Sequence, residues 1–368
     1  MRIASVEPVH LRIPFDQPRS VDAGSPPATG SRLHLLRLET DDGAVAWGEA
    51  AAGSAAEMDD AVEMLASAVI DAEVLDRGTL WERMVDRLMG EKEPPPGGAA
   101  ALSAVDLALW DLAARAVDLP VYQMIGGTHR ARLEACAVGI SENDPEAAAR
   151  QAQEMRARGF HAVTLPVDGD LERDVAMLDA VREALGPQAR LLVDARQRLE
   201  SCDQAMELGA ALDRHEVFWY EEPLPPDDWT DYVSLRHALN TPLAGGERLR
   251  SPGAFLQALL RGALDVVTPD VRLCGGITGL LKIADLARWF GVRLSPHNEA
   301  SQIGLIASTH VALTLPNSVM TAVEIDALPL TESLLQTPPG FDAGFIVLPD
   351  GPGLGIRVNQ SFIAEHAT

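Results

Sequence analysis

Leu191–Asp194 (LLVD) opens a series of five apolar segments, each ending in a side chain that can bind a metal or move a proton. The end residues follow one another at intervals of 23 to 27 positions, which suits one strand followed by one helix. If such units close into a barrel, their end residues meet at one mouth, where barrel enzymes carry their active sites. The other four segments are Val217–Glu221 (VFWYE), Leu243–Glu247 (LAGGE), Val266–Asp270 (VVTPD) and Val292–His297 (VRLSPH).

The same alternation extends beyond these segments and predicts an α/β fold, a (β/α)8 TIM-type barrel over residues 131–328. Strand candidates begin near Leu133, Ala162, Leu191, Val217, Leu243, Val266, Arg293 and Thr321. Helices are predicted at Pro145–Arg158, Leu171–Leu185, Cys202–Arg214, Pro252–Arg261 and Gly279–Phe290.

Residues 1–130 read as a smaller α+β unit that precedes the barrel. Its strands are predicted at Arg2–Ile13, Arg32–Thr40 and Ala44–Glu49, with a Pro- and Gly-rich loop at Asp16–Gly30 and helices at Glu57–Met89 and Ala99–Val117. Residues 329–368 no longer show the alternation of short apolar runs and helices. Within them, Phe341–Val347 and Gly355–Val358 are predicted as strands that return to the N-terminal unit.

Composition limits the partners of this chain of 368 residues. With 47% hydrophobic residues it can bury a large core, and its formal net charge of −24 disfavours nucleic acid and anionic membranes. A small anionic substrate stays compatible, because a bound cation can dominate the local field. The three cysteines lack CxxC spacing, so a reducing cytoplasm is expected.

Three of the strand-end acids, Asp194, Glu221 and Glu247, are the oxygen ligands that Mg²⁺ favours. An ion held there can chelate a substrate carboxylate and acidify its α-carbon by stabilising the enediolate. A lone acid at a strand end is more often a helix cap or an ion-pair partner. The shared spacing of these three argues for a common site. Glu222 is expected to support Glu221, although the two could exchange roles.

His297 suits the role of the base that removes the α-proton, and Asp270 could fix its tautomer. Both have plainer interpretations, since Asp270 could cap a turn and His297 could lie in a surface loop. Glu324, near the end of the eighth strand candidate, is equally compatible with hydrogen bonding to the substrate carboxylate and with a structural role.

With these residues in view, the chain resembles the enolase superfamily and, within it, the mandelate racemase subgroup. The similarity covers nearly the whole chain. The motifs are Trp47–Ala50 (WGEA), Ser103–Ala114 (SAVDLALWDLAA), Val193–Ala195, Glu221–Pro223 (EEP), Gly246-Glu247, Pro269-Asp270, Gly275–Thr278 (GGIT), Ser295–His297 and Pro349–Gly355 (PDGPGLG).

The resemblance implies a modified (β/α)7β barrel and a capping domain completed by the C-terminal segment. It implies one Mg²⁺ per subunit at the three acids, a His297–Asp270 dyad and Glu324 as electrophilic partner. Specificity would come from lid segments Asp16–Gly30 and Gly48–Ser54. A homodimer or homo-octamer is expected, acting on small carboxylates by α-proton abstraction.

The chain departs from the family at the second barrel strand, where relatives usually carry Lys-x-Lys. Here the strand ends in Thr164-Leu165-Pro166, and Lys92 and Lys282 are the only lysines of the sequence. A racemase with one base on each face is therefore disfavoured. A dehydratase needs one base, so the preferred prediction is conversion of an acid sugar to a 2-keto-3-deoxy acid.

Three residues are predicted to contact the substrate: Arg196 through its guanidinium, Thr164 in place of a lysine, and Arg19 from the lid. For Arg196, pairing with a nearby acid is about equally plausible. Two other functions stay open. One is a one-base racemase, epimerase or cycloisomerase of a hydroxy acid or sugar lactone, and the other is a metal-binding barrel that has lost catalysis.

Overall fold

The computed structural model describes residues 1–19, 28–89, 95–141, 144–225, 229–298, 302–325 and 331–368. The N-terminal part is an antiparallel sheet in the order β1-β2-β3, covered by helices. Its elements are β1 (Ile3–Arg19), β2 (Ala28–Thr40), β3 (Val45–Ala50), α1 (Ala55–Val69), α2 (Arg77–Met89), α3 (Gly98–Ala116) and α4 (Val121–Ile125).

One detail of the N-terminal prediction was wrong, and another is made more specific by the structure. The expected loop Asp16–Gly30 is strand at both its ends, because β1 and β2 pair as far as Arg19 and Ala28. Residues 20–27 lie outside the described part. The helical periodicity of Glu57–Met89 belongs to two helices, since Asp71 adopts a positive φ of 62° and a 3-10 turn follows at Val74–Asp76.

The predicted barrel is confirmed in its (β/α)7β form, with seven helices between eight parallel strands in the described ranges. The strands are β4 (Leu133–Val138), β5 (Ala162–Pro166), β6 (Arg190–Asp194), β7 (Trp219–Glu221), β8 (Leu243–Gly245), β9 (Val266–Val267), β10 (Arg293–Leu294) and β11 (Met320–Glu324). The helices are α5 (Pro145–Ala157), α6 (Leu171–Leu185), α7 (Cys202–Arg214), α8 (Thr230–Ala238), α9 (Pro252–Arg261), α10 (Gly276–Trp289) and α11 (Gln302–Thr314).

Pairing between the last and first strands closes the barrel. β11 pairs with β4 in parallel. A bridge between Leu294 and Ser318 joins β10 to the residues that precede β11. Side chains alternate along each strand, as a barrel requires. One set packs against the helices. The inward set forms a small apolar layer of Cys136, Ala162, Leu192, Trp219, Ala244, Val266 and Met320.

The alternation also decides which acids face the interior. Asp194 lies two residues beyond Leu192, and Glu221 lies two residues beyond Trp219, so both continue the inward set above the apolar layer. The barrel interior is thus apolar below and acidic at the carboxyl ends of its strands.

The two strands predicted in the C-terminal segment do not pair with the N-terminal sheet. Phe341–Val347 forms a hairpin of β12 (Gly340–Asp342) and β13 (Phe345–Val347), and β13 pairs with barrel strand β4 instead of the N-terminal sheet. Gly355–Val358 is not a strand, and only Val358 forms a bridge, to Leu335. The segment contacts the N-terminal unit at Gly353, which bridges to Pro120, and again after α12 (Gln360–His366), where Ala367 bridges to Leu11.

A buried acid joins the N-terminal unit to the barrel. Asp106 of α3 accepts hydrogen bonds from the Thr278 amide (2.8 Å) and hydroxyl (2.6 Å) in the first turn of α10. The N-cap residue of α10 is Gly275, which has no side chain to do this, so Asp106 caps the helix from another element. Glycine at position 276 permits the approach, because a Cβ there would lie 2.4 Å from the Asp106 carboxylate.

The stability of the protein is expected to depend on pH through Asp106. Burial raises the pKa of Asp106 from 3.8 to about 7, so the folded protein retains a proton that the unfolded chain has lost. Its contribution to the free energy of unfolding therefore falls as pH rises from about 4 to about 7. Between pH 5 and pH 8, wild type should lose on the order of 2 kcal/mol relative to Asp106→Asn in urea unfolding. Exposed Asp60→Asn should show no such difference, and a constant wild-type advantage over Asp106→Asn would contradict the expectation.

In the described ranges, the helices are all too short or too polar to span a bilayer.

Candidate active site

The three predicted metal ligands lie together at the carboxyl ends of neighbouring strands. In the β6–β7 ladder Asp194 is the register partner of Glu221, and Glu247 follows β8 by two residues. The carboxylates act on one another electrostatically, since Asp194 and Glu247 both raise the pKa of Glu221, after burial as the largest cause. The strand order therefore concentrates negative charge in one partly buried place.

Each of these carboxylates also has a protein partner. Glu221 Oε2 accepts from the indole N–H of Trp219 at 3.0 Å, and Asp194 Oδ1 accepts from the Arg196 amide at 2.8 Å. Glu247 lies 3.5 Å from the Arg248 guanidinium. In this arrangement, no three His, Cys, Asp or Glu side chains of the described ranges form a group that could hold a metal.

The electrostatics of the cluster nevertheless suit a divalent cation. Burial raises the pKa of Asp194, and the nearby Glu247 raises it further. Raised pKa values in crowded carboxylates mean that their charge is poorly compensated by the protein. Hard cations take such oxygen ligands, so the donor set fits Mg²⁺.

The backbone is strained where the chain leaves β6 and β7. Arg196, Gln197 and Glu222 have φ values of 51°, 60° and 43°, a region that side-chain-bearing residues seldom occupy. Such strain clusters at functional sites, where the fold holds it in place. Here it lets the chain turn sharply directly after Asp194 and Glu221, which stay at the mouth.

Glu222 lies behind the acid cluster. Its Oε1 accepts from the Gly246 amide at 2.6 Å, and its Oε2 accepts from the Gln197 side chain. Only 1% of Glu222 is exposed, and burial, followed by Glu247, raises its pKa to about 7. These bonds connect the turn after β6 to Gly246, the residue before Glu247. The arrangement favours the supporting role over an exchange with Glu221.

His297 lies between the acid cluster and Asp270. Its Nε2 is 3.4 Å from Glu247 Oε2, and its Nδ1 is 3.3 Å from Asp270 Oδ2. A backbone bridge between Asp270 and His297 extends the short strands β9 and β10 and fixes this pairing. One imidazole nitrogen thus faces an orienting carboxylate and the other faces the mouth, which is the arrangement of a general base.

Sequence reasoning missed Arg272, which is buried against Asp270. Arg272 donates from Nε to Asp270 Oδ1 (3.0 Å) and from Nη2 to Oδ2 (2.6 Å). Burial alone would raise the pKa of Asp270, but Arg272 and then His297 outweigh it and hold that pKa well below its usual range. A basic residue two positions after a strand-end acid is the signal that could have found it.

The second strand contributes no base to the mouth. Thr164 is buried one step below the mouth, with its hydroxyl 3.2 Å from Cys136 Sγ, which does not favour the predicted contact with substrate. Pro166 pairs with Asp194 at the level of the acids. Lys282 binds Glu82 on the outside of the barrel, and Lys92 lies outside the described residues.

The remaining predicted residues, Arg196, Glu324 and Arg19, each lie at or near the end of a strand. Arg196 Nε lies 3.7 Å from Asp194 Oδ2, so the arginine is at the mouth and paired with an acid. Glu324 ends β11 beside Val138 of β4. Arg19 ends β1, and its side chain lies outside the described part.

The barrel fold and the residues at its mouth together define a barrel enzyme. Its N-terminal unit reaches the carboxyl ends of the barrel strands. Residues 147–362 match the family model "Enolase C-terminal domain-like", and residues 16–126 match "Mandelate racemase / muconate lactonizing enzyme, N-terminal domain". The chain therefore belongs to the enolase superfamily, in its mandelate racemase subgroup, as the sequence resemblance predicted.

The names of similar proteins state more than one enzymatic activity. The chain is 32% identical to a D-galactarolactone cycloisomerase of Agrobacterium fabrum, over 91% of both chains. It is 28% identical to a D-xylonate dehydratase of Haloferax volcanii, over 90% of this chain and 84% of the relative. A racemase structure from Streptomyces coelicolor with bound magnesium superposes with a TM-score of 0.89 at 27% identity, over all of both chains.

Proposed function

We propose that this protein dehydrates an acid sugar to a 2-keto-3-deoxy acid, with His297 as the single base. The observation that carries the proposal is the asymmetry of the mouth. His297 faces it with Asp270 behind, at 3.3 Å, whereas the second strand presents Thr164 and Pro166. A racemase of the two-base type needs a proton donor on each face of the substrate, and a dehydratase does not.

Asp194, Glu221 and Glu247 would hold one Mg²⁺, and the magnesium-bound racemase relative supports this choice of ion. A bound cation would supply positive charge beside the substrate carboxylate and so acidify the α-proton. Arg196 and Glu324 are placed at strand ends where they could bind further oxygens of the substrate.

The reaction needs two proton movements at His297. First, Nε2 takes the α-proton, and the electrons of the broken C–H bond form a double bond between the α-carbon and the carboxyl carbon. Those electrons then shift to the bond between the α- and β-carbons as the β C–O bond breaks. The protonated Nε2 gives its proton to the departing hydroxyl, which leaves as water. The remaining enol loses its hydroxyl proton to solvent and takes a proton from solvent at the β-carbon, and so becomes the ketone.

A substrate screen tests this proposal directly. Aldonic and aldaric acids are incubated with enzyme and Mg²⁺, and keto acid is detected with semicarbazide. We expect turnover of a narrow set of acid sugars, with one molecule of water lost per keto acid formed. A broad library without any keto acid product would contradict the dehydratase proposal.

The one-base geometry also predicts how the substrate exchanges with solvent. In D₂O, only the epimer whose α-proton faces His297 should incorporate deuterium at the α-carbon, because Thr164 and Pro166 cannot accept a proton from the other face at neutral pH. NMR of recovered substrate measures this. The matched control is the C2 epimer of the same acid, and exchange of both epimers would point to a second base.

A cycloisomerase is the second candidate, and the cycloisomerase relative at 32% identity favours it. It would use the same base on a sugar lactone, and the ring oxygen would leave in place of a hydroxyl. The two proposals separate on mass balance, since the cycloisomerase product keeps the mass of its substrate. We also propose a homo-oligomer in the cytoplasm, which light scattering and cell fractionation would test.

A further inference from the structure

We propose that Arg272 and Glu49 are positioning residues that tie the orientation of the His297–Asp270 pair to the segment Gly48–Ser54 of the N-terminal unit, which begins in β3 and continues past its end. This inference rests on the proposed function, in which His297 is the base. It adds that the base is aligned from outside the barrel, through one buried arginine.

Arg272 controls the carboxylate that orients His297. Its backbone amide donates to Asp270 Oδ1 at 2.8 Å, and its guanidinium donates to both carboxylate oxygens, at 3.0 and 2.6 Å. Two parallel bonds from a planar guanidinium fix the plane of a carboxylate as well as its position. His297 Nδ1 reaches the same Oδ2 at 3.3 Å, so its partner is already held by Arg272.

The other side of Arg272 is attached to the N-terminal unit. Its Nη1 lies 3.6 Å from Oε1 of Glu49, a carboxylate with no exposed surface. Its backbone carbonyl accepts from the Ala51 amide at 3.2 Å. Glu49 and Ala51 are two residues apart, at the end of β3 and just past it. Arg272 thus binds this segment by side chain and backbone together.

Burial makes this link stiff. Arg272 is 7% exposed and lies between two buried carboxylates, Asp270 and Glu49. Charges removed from water interact more strongly, and a buried carboxylate that loses its cation must find another partner. A change at Glu49 is therefore expected to move Arg272, and with it the plane of Asp270. Displacing a base by about 1 Å can lower a rate about a hundredfold.

The link is distinguishable from ordinary contact between the two units. Glu82 of α2 and Lys282 of α10 also join them by an ion pair, at 3.0 Å, but on the exposed surface and away from the dyad. Glu82→Gln therefore removes a carboxylate charge from a comparable contact. It serves as the matched control for Glu49→Gln.

Kinetics of α-proton exchange give the first test. Glu49→Gln and Arg272→Lys should each lower kcat by about ten- to a hundredfold with little change in KM, whereas Glu82→Gln should match wild type. Because the two residues act in series, the double variant should be no slower than Arg272→Lys alone. Additive losses, or losses in KM only, would overturn the proposal.

The tautomer of His297 gives a second test that needs no substrate. Protein labelled with ¹⁵N-histidine is measured by long-range ¹H–¹⁵N correlation, with His297→Asn assigning the signal. We expect more Nδ1-protonated imidazole in wild type than in Glu49→Gln. An unchanged tautomer in a folded Glu49→Gln protein would reduce Arg272 and Glu49 to structural residues, even if thermal stability fell. If Arg272→Lys does not fold, both the kinetic test and the tautomer test are made with Glu49→Gln. If no substrate is found, the tautomer measurement alone tests the positioning role.

Discussion

Replacing His297 with asparagine is expected to abolish α-proton exchange and product formation, lowering kcat by at least about a thousandfold. A positioned general base contributes about 10² to 10⁴ in rate, and here the same imidazole serves twice, for proton removal and for proton return. Asparagine retains a similar shape and a hydrogen bond to Asp270, so the fold should persist. Deuterium incorporation at the substrate α-carbon, followed by NMR, measures the first proton transfer alone.

The matched control is His237→Asn, an exposed histidine on α8 that should leave both rates unchanged. Retained exchange in His297→Asn would place the base elsewhere. If wild type bound a ligand but showed neither α-proton exchange nor turnover, the protein would instead be a binding barrel.

Replacing Glu221 with glutamine is expected to weaken Mg²⁺ binding by at least about a hundredfold and to remove activity, since a hard cation loses a charged ligand. The same change should stabilise the protein in EDTA. Burial, and then Asp194 and Glu247, raise the pKa of Glu221, so its charged form is unfavourable. The variant should therefore melt at a higher temperature than wild type in EDTA and gain less from added Mg²⁺.

Thermal melting across a Mg²⁺ titration measures both effects. Glu200→Gln removes an exposed carboxylate from the turn that follows β6 and should behave as wild type. A Glu221→Gln protein with undiminished stabilisation by Mg²⁺ would show that the ion binds elsewhere.

The barrel was predictable from sequence because its signal repeats. Each strand is a short apolar run, and most helices between strands have a polar face, so an error in one unit leaves the others unchanged. Helix α11 was not predicted, because Gln302–Leu313 is buried on every side and shows no amphipathic period. The hairpin at Phe341–Val347 was recognised as strand, but sequence pattern does not specify which sheet edge a strand will join.

At the site, the residues that end strands were predictable and the residues that hold them were not. Asp270 and His297 stand out because each closes an apolar run. Arg272 lies in the turn after Asp270, and its spacing of two residues from that acid was its one local signal. Its partner Glu49 lies 223 positions away on another sheet, and only the folded chain brings them together. Long-range pairs between single buried charges leave no local pattern to read.

The strands that carry the base differ from those that carry the acids. β9 and β10 span two residues each, whereas β6 spans five, but their ladder continues past the strand ends, because the Ser295 amide donates to Val267 and the His297 amide donates to the Pro269 carbonyl. The base and its orienting carboxylate are therefore held by one ladder on one side of the mouth, apart from the strands that carry the acids. Divergence among relatives would then proceed by re-aiming one imidazole over an unchanged ion site. Such a division lets a lineage explore new sugars and new leaving groups without rebuilding its electrostatic centre.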